Sequence, residues 1–339
     1  MFPRTGLCAV KIIPGARYSA VTVTVSLLVV GVAGAGALAA QPTELAVKRG
    51  ERLLVVAPHP DDETLGAGGL IQRVLARGGT VRVVLVTAGD GYVEAVVHET
   101  GRLRPRPGDY VAYGKRRLRE ARFALRALGG DGIEAEHLLG FPDGGLEPLL
   151  RAHWKHADPE RSPTTEATEP PYADAEHRDV GYDGAELRAA LVRCLRDVRP
   201  TTIALPDPLD RHPDHHATGL FVLLAVEDVV EASPKSPIAM PQLLAYLVHW
   251  PNWPPGWDAR KPSADTTPGP LELPGALRKR GFPQTVLTLT DEEVAVKGRA
   301  LAEYVTQQQE LASLLAAFVH RTEPFRLPTT AELRRRAAG

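Results

Sequence analysis

Two short stretches concentrate side chains that bind cations and move protons. Pro58-His59-Pro60-Asp61-Asp62-Glu63 combines an imidazole with three carboxylates, and Asp207-Pro208-Leu209-Asp210-Arg211-His212-Pro213-Asp214-His215-His216 combines three imidazoles with three. His59 and Asp62 stand three apart, so a turn entering a helix brings them to one side while Asp61 points elsewhere. That gives two ligands and one free carboxylate. A catalytic zinc site takes three nitrogen or oxygen ligands and keeps a position open for water, so one histidine of the second stretch would complete the set. His215 is the choice, with His212 and His216 as alternatives. Each stretch alone also fits a helix cap with proline in the first turn. Together, each following a predicted strand, they read better as a metal centre.

The surrounding pattern supplies those strands. Leu53 to Ala57 is short, apolar and rich in β-branched residues; a Gly-rich helical stretch, Thr64 to Arg77, and a second strand, Val81 to Thr87, follow. The alternation continues with a helix over Tyr113 to Leu128, a strand over His137 to Gly140, a helix over Ala185 to Val198, a strand over Thr202 to Leu205 and a helix over Ala217 to Val229. Leu243 to Trp250 and Thr285 to Thr290 read as further strands, and one long helix runs from Asp291 towards Val319, capped by Thr290 or Asp291. This predicts an α/β fold, a Rossmann-like, mostly parallel sheet covered by helices on both faces. In such sheets ligands bind beyond the carboxyl ends of the strands, where both stretches fall. Two Pro-rich stretches, 158–183 and 251–274, are too long for ordinary connections and read as mobile loops or walls of a site. Trp250, Trp253 and Trp257 lie in or beside the second and could stack on a sugar or simply fix the loop, and Trp154 has the same two readings.

The chain has 339 residues, 44% hydrophobic and 24% charged, enough for a sizeable core. Its net charge of -1, from 40 basic and 41 acidic residues, gives no reason to expect nucleic acid as a partner. Arg4, Lys11 and Arg17 precede an apolar run from Ser19 to Ala40 that ends in small residues, the layout of a cleaved secretory signal and otherwise of a membrane anchor. The expected organisation is a signal or anchor over 1–40 and a single catalytic domain over 41–339, secreted or periplasmic after cleavage or tethered through 19–40. Of the two cysteines, Cys8 precedes the apolar run and Cys194 sits in a helical pattern as a core residue, so no disulfide and no thiol chemistry is expected.

Val56-Ala57-Pro58-His59-Pro60-Asp61-Asp62-Glu63 with His212-Pro213-Asp214-His215 resembles the paired signature of the LmbE/PIG-L-like N-acetylglucosaminyl deacetylases. The resemblance extends through Thr87-Ala88-Gly89-Asp90, Arg117 to Ala121 with Leu128-Gly129, Gly140-Phe141-Pro142-Asp143-Gly144 and Tyr304-Val305-Thr306-Gln307. It implies an LmbE-like fold and a zinc-dependent hydrolase acting on an N-acetylated sugar. By the same resemblance His59, Asp62 and His215 bind Zn2+ (or another divalent ion), Asp61 is the general base, His212 assists at the oxyanion or leaving group, and Asp214 orients or tunes His212. Arg117 and Asp143 match positions that face the sugar. Some members carry a tyrosine two residues before the histidine matching His212, whereas this chain has Asp210; Arg211, His212 or the metal alone would then serve the oxyanion, or alternatively Asp210 and Arg211 pair and serve only to hold the loop, the preferred role for Asp210. The alternatives are a zinc amidase on another small amide or conjugate and a secreted glycan-binding protein without turnover. Neither the sugar nor the oligomeric state can be read from the sequence.

Overall fold

The computed structural model describes residues 42–155, 159–176, 178–231, 239–255, 257 and 270–328. Residues 1–40, with Cys8, lie outside them, as does most of the second Pro-rich stretch. The strands are β1 (Thr43–Glu44), β2 (Arg52–Ala57), β3 (Thr80–Thr87), β4 (Ile133–Phe141), β5 (Thr202–Pro206), β6 (Gln242–Tyr246), β7 (Gln284–Thr288) and β8 (Thr322–Arg326). The helices are α1 (Asp62–Ala76), α2 (Val93–Thr100), α3 (Pro107–Gly129), α4 (Leu146–Arg151), α5 (Gly184–Val198), α6 (Pro213–Glu231), α7 (Gly275–Arg278), α8 (Asp291–Ala302) and α9 (Val305–Ala316).

All eight strands share one sheet in the order β1-β7-β8-β6-β5-β2-β3-β4, parallel except where β8 runs antiparallel to β6 and β7. Along β2 the side chains alternate. Leu53, Val55 and Ala57 enter a core with α1, α3, α8 and α9, while Leu54 and Val56 enter another with α4, α5 and α6. A strand buried on both faces in this way needs helices above and below it, as the sequence predicts. The connections leave β2 towards β3 and β5 towards β6, on opposite sides, so the strand order reverses between β2 and β5. That reversal opens a crevice at the carboxyl ends of the two strands.

Helix α1 lies unusually close to the sheet, because a Cβ at Gly66 would sit 2.3 Å from the Tyr246 ring. It also breaks at Ala67 (φ -143°, ψ 15°). The freed carbonyl of Leu65 accepts from Lys297 Nζ at 2.8 Å, and the freed N–H groups of Gly69 and Leu70 donate to Glu323 at 2.7 and 2.9 Å. Lys297 and Glu323, both buried, pair at 2.8 Å. This buried ion pair replaces the hydrogen bonds that the kink removes.

The C-terminal region departs from the sequence reading in two places. The single helix expected from Asp291 towards Val319 is two helices, because the chain leaves helical geometry at Tyr304, whose phenol is buried against Glu63 and Thr64. Thr290 caps α8 in a reciprocal pair with Glu293. The strand expected to reach Trp250 ends at Tyr246, releasing Leu247 to His249 to turn over the carboxyl edge of the sheet. The described part of the first Pro-rich stretch packs rather than swings free: Tyr172 donates to Asp90, and Tyr182 to the carbonyl of Gly140 at 3.0 Å. Cys194 is buried, and burial pushes its thiol up to about 12, which fits a core residue.

Candidate metal centre

The loop after β2 carries the first cluster. His59 Nδ1 lies 3.1 Å from Asp62 Oδ2, the side-by-side placement expected from their spacing. Asp61 between them adopts φ 129°, a region that disfavours any side chain and costs roughly 1–3 kcal/mol. Its N–H donates to Glu63 Oε2 at 3.1 Å, and its carboxylate accepts from Arg117 Nη2 at 3.1 Å. Glu63 is held in turn by Tyr304 and Thr64. The strained residue is thus fixed from both sides, through its N–H by Glu63 and through its carboxylate by Arg117.

The loop after β5 is held by buried carboxylates. Asp207 takes a two-point bond from Arg326 at 2.7 and 2.8 Å. Asp210 Oδ1 accepts the backbone N–H of His212 at 2.9 Å, and Oδ2 accepts those of Val248 at 2.8 Å and His249 at 2.9 Å. The expected Asp210–Arg211 pair does not form: Asp210 is used by the backbone and His215, while the exposed Arg211 places its guanidinium 4.9 Å over the ring of Trp250. His216 directs Nδ1 to the carbonyl of Pro208 at 2.7 Å.

These loops bring Asp62 beside both His59 and His215. Asp62 Oδ2 lies 3.1 Å from His59 Nδ1 and 3.2 Å from His215 Nε2. Both separations are close to the roughly 3.4 Å between donors on a tetrahedral zinc, but among the described residues the groups whose donor atoms all lie within 4.8 Å of one another are His59–His212–His215, Asp62–His215–His249 and His59–Asp143–Asp214. Neither ring nitrogen of the fully buried His215 makes a hydrogen bond, although both lie near carboxylates. Each histidine is also backed on its far nitrogen. His59 Nε2 is 3.3 Å from both Asp143 and Asp214, and His215 Nδ1 is 3.4 Å from Asp210. Carboxylates placed behind imidazoles in this way are typical of metal-bound histidines, and the residues present fit the ion. His59 and His212 can also face His215 as a second donor group.

The local field separates these groups by role. Burial opposes charge on His59, but Asp143, Asp214 and Asp62 hold its pKa well above the ordinary value. Burial likewise opposes charge on His215, yet Asp62 and Asp210 raise it to about 9. Burial lifts Asp61 to about 7, and the Arg117 guanidinium limits the rise. His212 is driven down to about 2, by burial and by the positive potential of the neighbouring imidazoles. Its Nδ1 accepts from the backbone N–H of Asp214 at 3.3 Å, so the neutral ring carries its proton on Nε2.

A cavity of about 290 Å³ opens on this cluster, lined by His59, Asp61, Asp62, Arg117, Asp143 and His212, with further wall from Tyr92, Val248, His249, Gln307 and Leu311. Arg117 and Asp143 border the cavity, and both are engaged inside the protein. Arg117 also donates to the carbonyls of Gly89 and Pro60, and Asp143 accepts from Gly91 N–H at 2.6 Å. Gly89 has φ +69°, and a Cβ there would strike the Arg117 guanidinium at 2.3 Å. Asp214 lies against His59 and the N–H groups of Gly144 and Leu146. Arg211 is not among the residues lining the cavity. Trp253 is buried and donates to the carbonyl of Glu272, and Trp154 stacks on Phe221 at 5.8 Å, so both fix the core. His249 was missed by the sequence reading because the predicted strand ran through it; its position just after an apolar run was the available signal.

The family model described as PIG-L: GlcNAc-PI de-N-acetylase matches residues 54–226, just over half of the chain and the whole of both clusters. The chain belongs to the PIG-L family. Two curated relatives share a name, 1D-myo-inositol 2-acetamido-2-deoxy-alpha-D-glucopyranoside deacetylase. The one from Mycobacterium sp. (strain KMS) is 35% identical over 186 residues, 54% of this chain and 53% of the relative. The one from Rhodococcus opacus (strain B4) is 34% identical over 181 residues, 52% and 53% respectively. This PIG-L chain thus spans about half the length of the curated relatives it matches. Among solved structures, the N,N'-diacetylchitobiose deacetylase from Pyrococcus horikoshii is 18% identical, with a TM-score of 0.50 over 82% of this chain and 84% of that one, a likeness of fold. The PIG-L match ends before Val248, His249, Gln307 and Leu311, so part of the cavity wall comes from outside it.

Proposed function

We propose that the chain is a zinc-dependent N-deacetylase that hydrolyses the acetamido group of an N-acetylglucosamine-type substrate. The observation that carries this is the placement of Asp61, a carboxylate bordering the cavity and held by Arg117, next to Asp62, which itself lies against both His59 and His215. The family description and the names of the curated relatives support the acetamido sugar. The cavity lies at the small end of ligand pockets, which suits a single ring. The leader-like residues 1–40 support action outside the cytoplasm.

A divalent ion held by His59, Asp62 and His215 would polarise the acyl oxygen and make a water acidic enough to ionise near neutrality. Asp61, bordering the cavity, is placed to take a proton from the attacking water as the new C–O bond forms at the acetyl carbon. With a pKa raised to about 7, Asp61 can return the proton to the amide nitrogen as the C–N bond breaks, so acetate and a free amine leave. Arg117 holds the Asp61 carboxylate in place throughout. His212 is neutral, so its part is to present Nε2–H to the oxygen on which charge gathers. Asp214 serves through His59, whose Nε2 it faces.

The test is acetate and primary amine released from N-acetylglucosamine, its inositol glycoside and diacetylchitobiose by the zinc-loaded chain. Equimolar acetate and amine that vanish on chelation are expected. Bound zinc without acetate from any of the three would overturn the deacetylase reading, and hydrolysis of other amides would then favour the amidase.

A further inference from the structure

Four imidazoles gather at the cavity, and the reading above assigns a task to His59, His212 and His215 only. The ring of His249 lies 4.8 Å from that of His215 and 5.1 Å from that of His212, and it lines the same cavity. Its main chain is tied down on both sides: its N–H donates to Asp210 Oδ2 at 2.9 Å, and its carbonyl accepts from Arg211 N–H at 3.0 Å. Since Asp210 Oδ1 takes the N–H of His212, one buried carboxylate sets the separation of the two rings. The ring nitrogens of His249 make no hydrogen bond among the described residues.

Asp62, His215 and His249 also approach closely enough to share a cation. The surroundings of the ring argue against that role. His59 and His215 each have a carboxylate behind the far nitrogen, as metal-bound histidines do. No carboxylate lies within ion-pair reach of the His249 ring among the described residues. A ring held rigidly through its backbone, with its nitrogens unengaged and a donor histidine beside it, is placed to meet substrate.

We propose that His249 is a catalytic residue that donates an imidazole N–H to the acyl oxygen of the substrate alongside His212, and that it does not bind the metal. The inference rests on the deacetylase reading. It adds a second donor where charge develops, from a segment outside the family match.

The test compares wild type, His249→Ala and His249→Gln as full chains, with three readouts. Loss of one such donor lowers kcat by about 100-fold, with KM within a few-fold, and Gln, which keeps an N–H, should recover at least about tenfold. Affinity for a glucosamine methylphosphonamidate, a tetrahedral mimic of the reacting group, should fall in step with kcat/KM. Zinc content and the visible spectrum of the cobalt-substituted protein should stay as in wild type. A changed cobalt spectrum or lost zinc would make His249 a ligand and overturn the proposal, as would unchanged affinity for the mimic. If wild type binds the mimic but releases no acetate, the deacetylase reading fails while the affinity comparison still decides the contact. A wild type that binds neither substrate nor mimic overturns both.

Discussion

Residues 54–226 and residues 239–328 meet at one cavity but bring different things to it. The first region holds the residues proposed as metal donors and proton-handling groups, His59, Asp61, Asp62, His212 and His215, placed at the ends of two strands. The second supplies much of the remaining wall, Val248, Gln307 and Leu311, and with it His249, the further donor proposed for the reaction. On the proposed reading the ion is held from the first region alone, while the second contributes wall and one donor to the reacting group. A change in the second region can alter what is accepted without disturbing the ion.

The sharpest test of that division is Asp61→Asn, expected to lower acetate release by about 10²–10⁴-fold with zinc content unchanged. Loss of zinc together with activity would mean that Asp61 belongs to the donor set. Asp210→Asn comes next: weakening the group behind His215 should reduce zinc affinity by about 10–100-fold in a chelator competition. An unaltered affinity would show that the second loop is merely positioned by Asp210.

Acid should weaken the ion's hold as well. His59 and His215 are both held up by their carboxylates, His215 to about 9, so at neutral pH each binds a proton that the ion must displace. Affinity should therefore rise with pH, about tenfold per unit for each histidine still protonated. A flat response in competition titrations between pH 6 and 8 would refute this. The smallest effect belongs to the wall: Leu311→Ala should shift KM between sugar substrates by a few-fold, with kcat and zinc content nearly constant. A fall in kcat comparable to that of Asp61→Asn would erase the distinction between the regions.

The sequence was most legible where chemistry demands close spacing. The strand ending at Ala57 and the one ending at Pro206 were visible as apolar runs, and the polar clusters after them marked the crevice. His249 was hidden because its run, Leu243 to Trp250, looks like uninterrupted strand; only the pairing of β6 with β5 as far as Pro206↔Tyr246 shows where it stops. The sequence pairs Asp210 with its neighbour Arg211, whereas two of its backbone partners lie in a strand-end loop 38 and 39 residues away. The break at Tyr304 was invisible for the same reason, since the helical pattern continues and only the distant Glu63 explains why the chain turns. Short-range ligands can be read from spacing, but long-range anchors cannot.

The kink in α1 bears on how this protein could be dissected. Asp62 begins that helix, and the helix is completed at its break by Lys297 and Glu323, which lie far beyond residue 226. A chain cut at the end of the family match would lose the partners of one carbonyl and two amides at the break, together with the Tyr246, Leu289 and Lys297 side chains that cover this face of the helix carrying Asp62. The smallest piece able to hold an ion would then extend to β8, well past the border that likeness to relatives suggests.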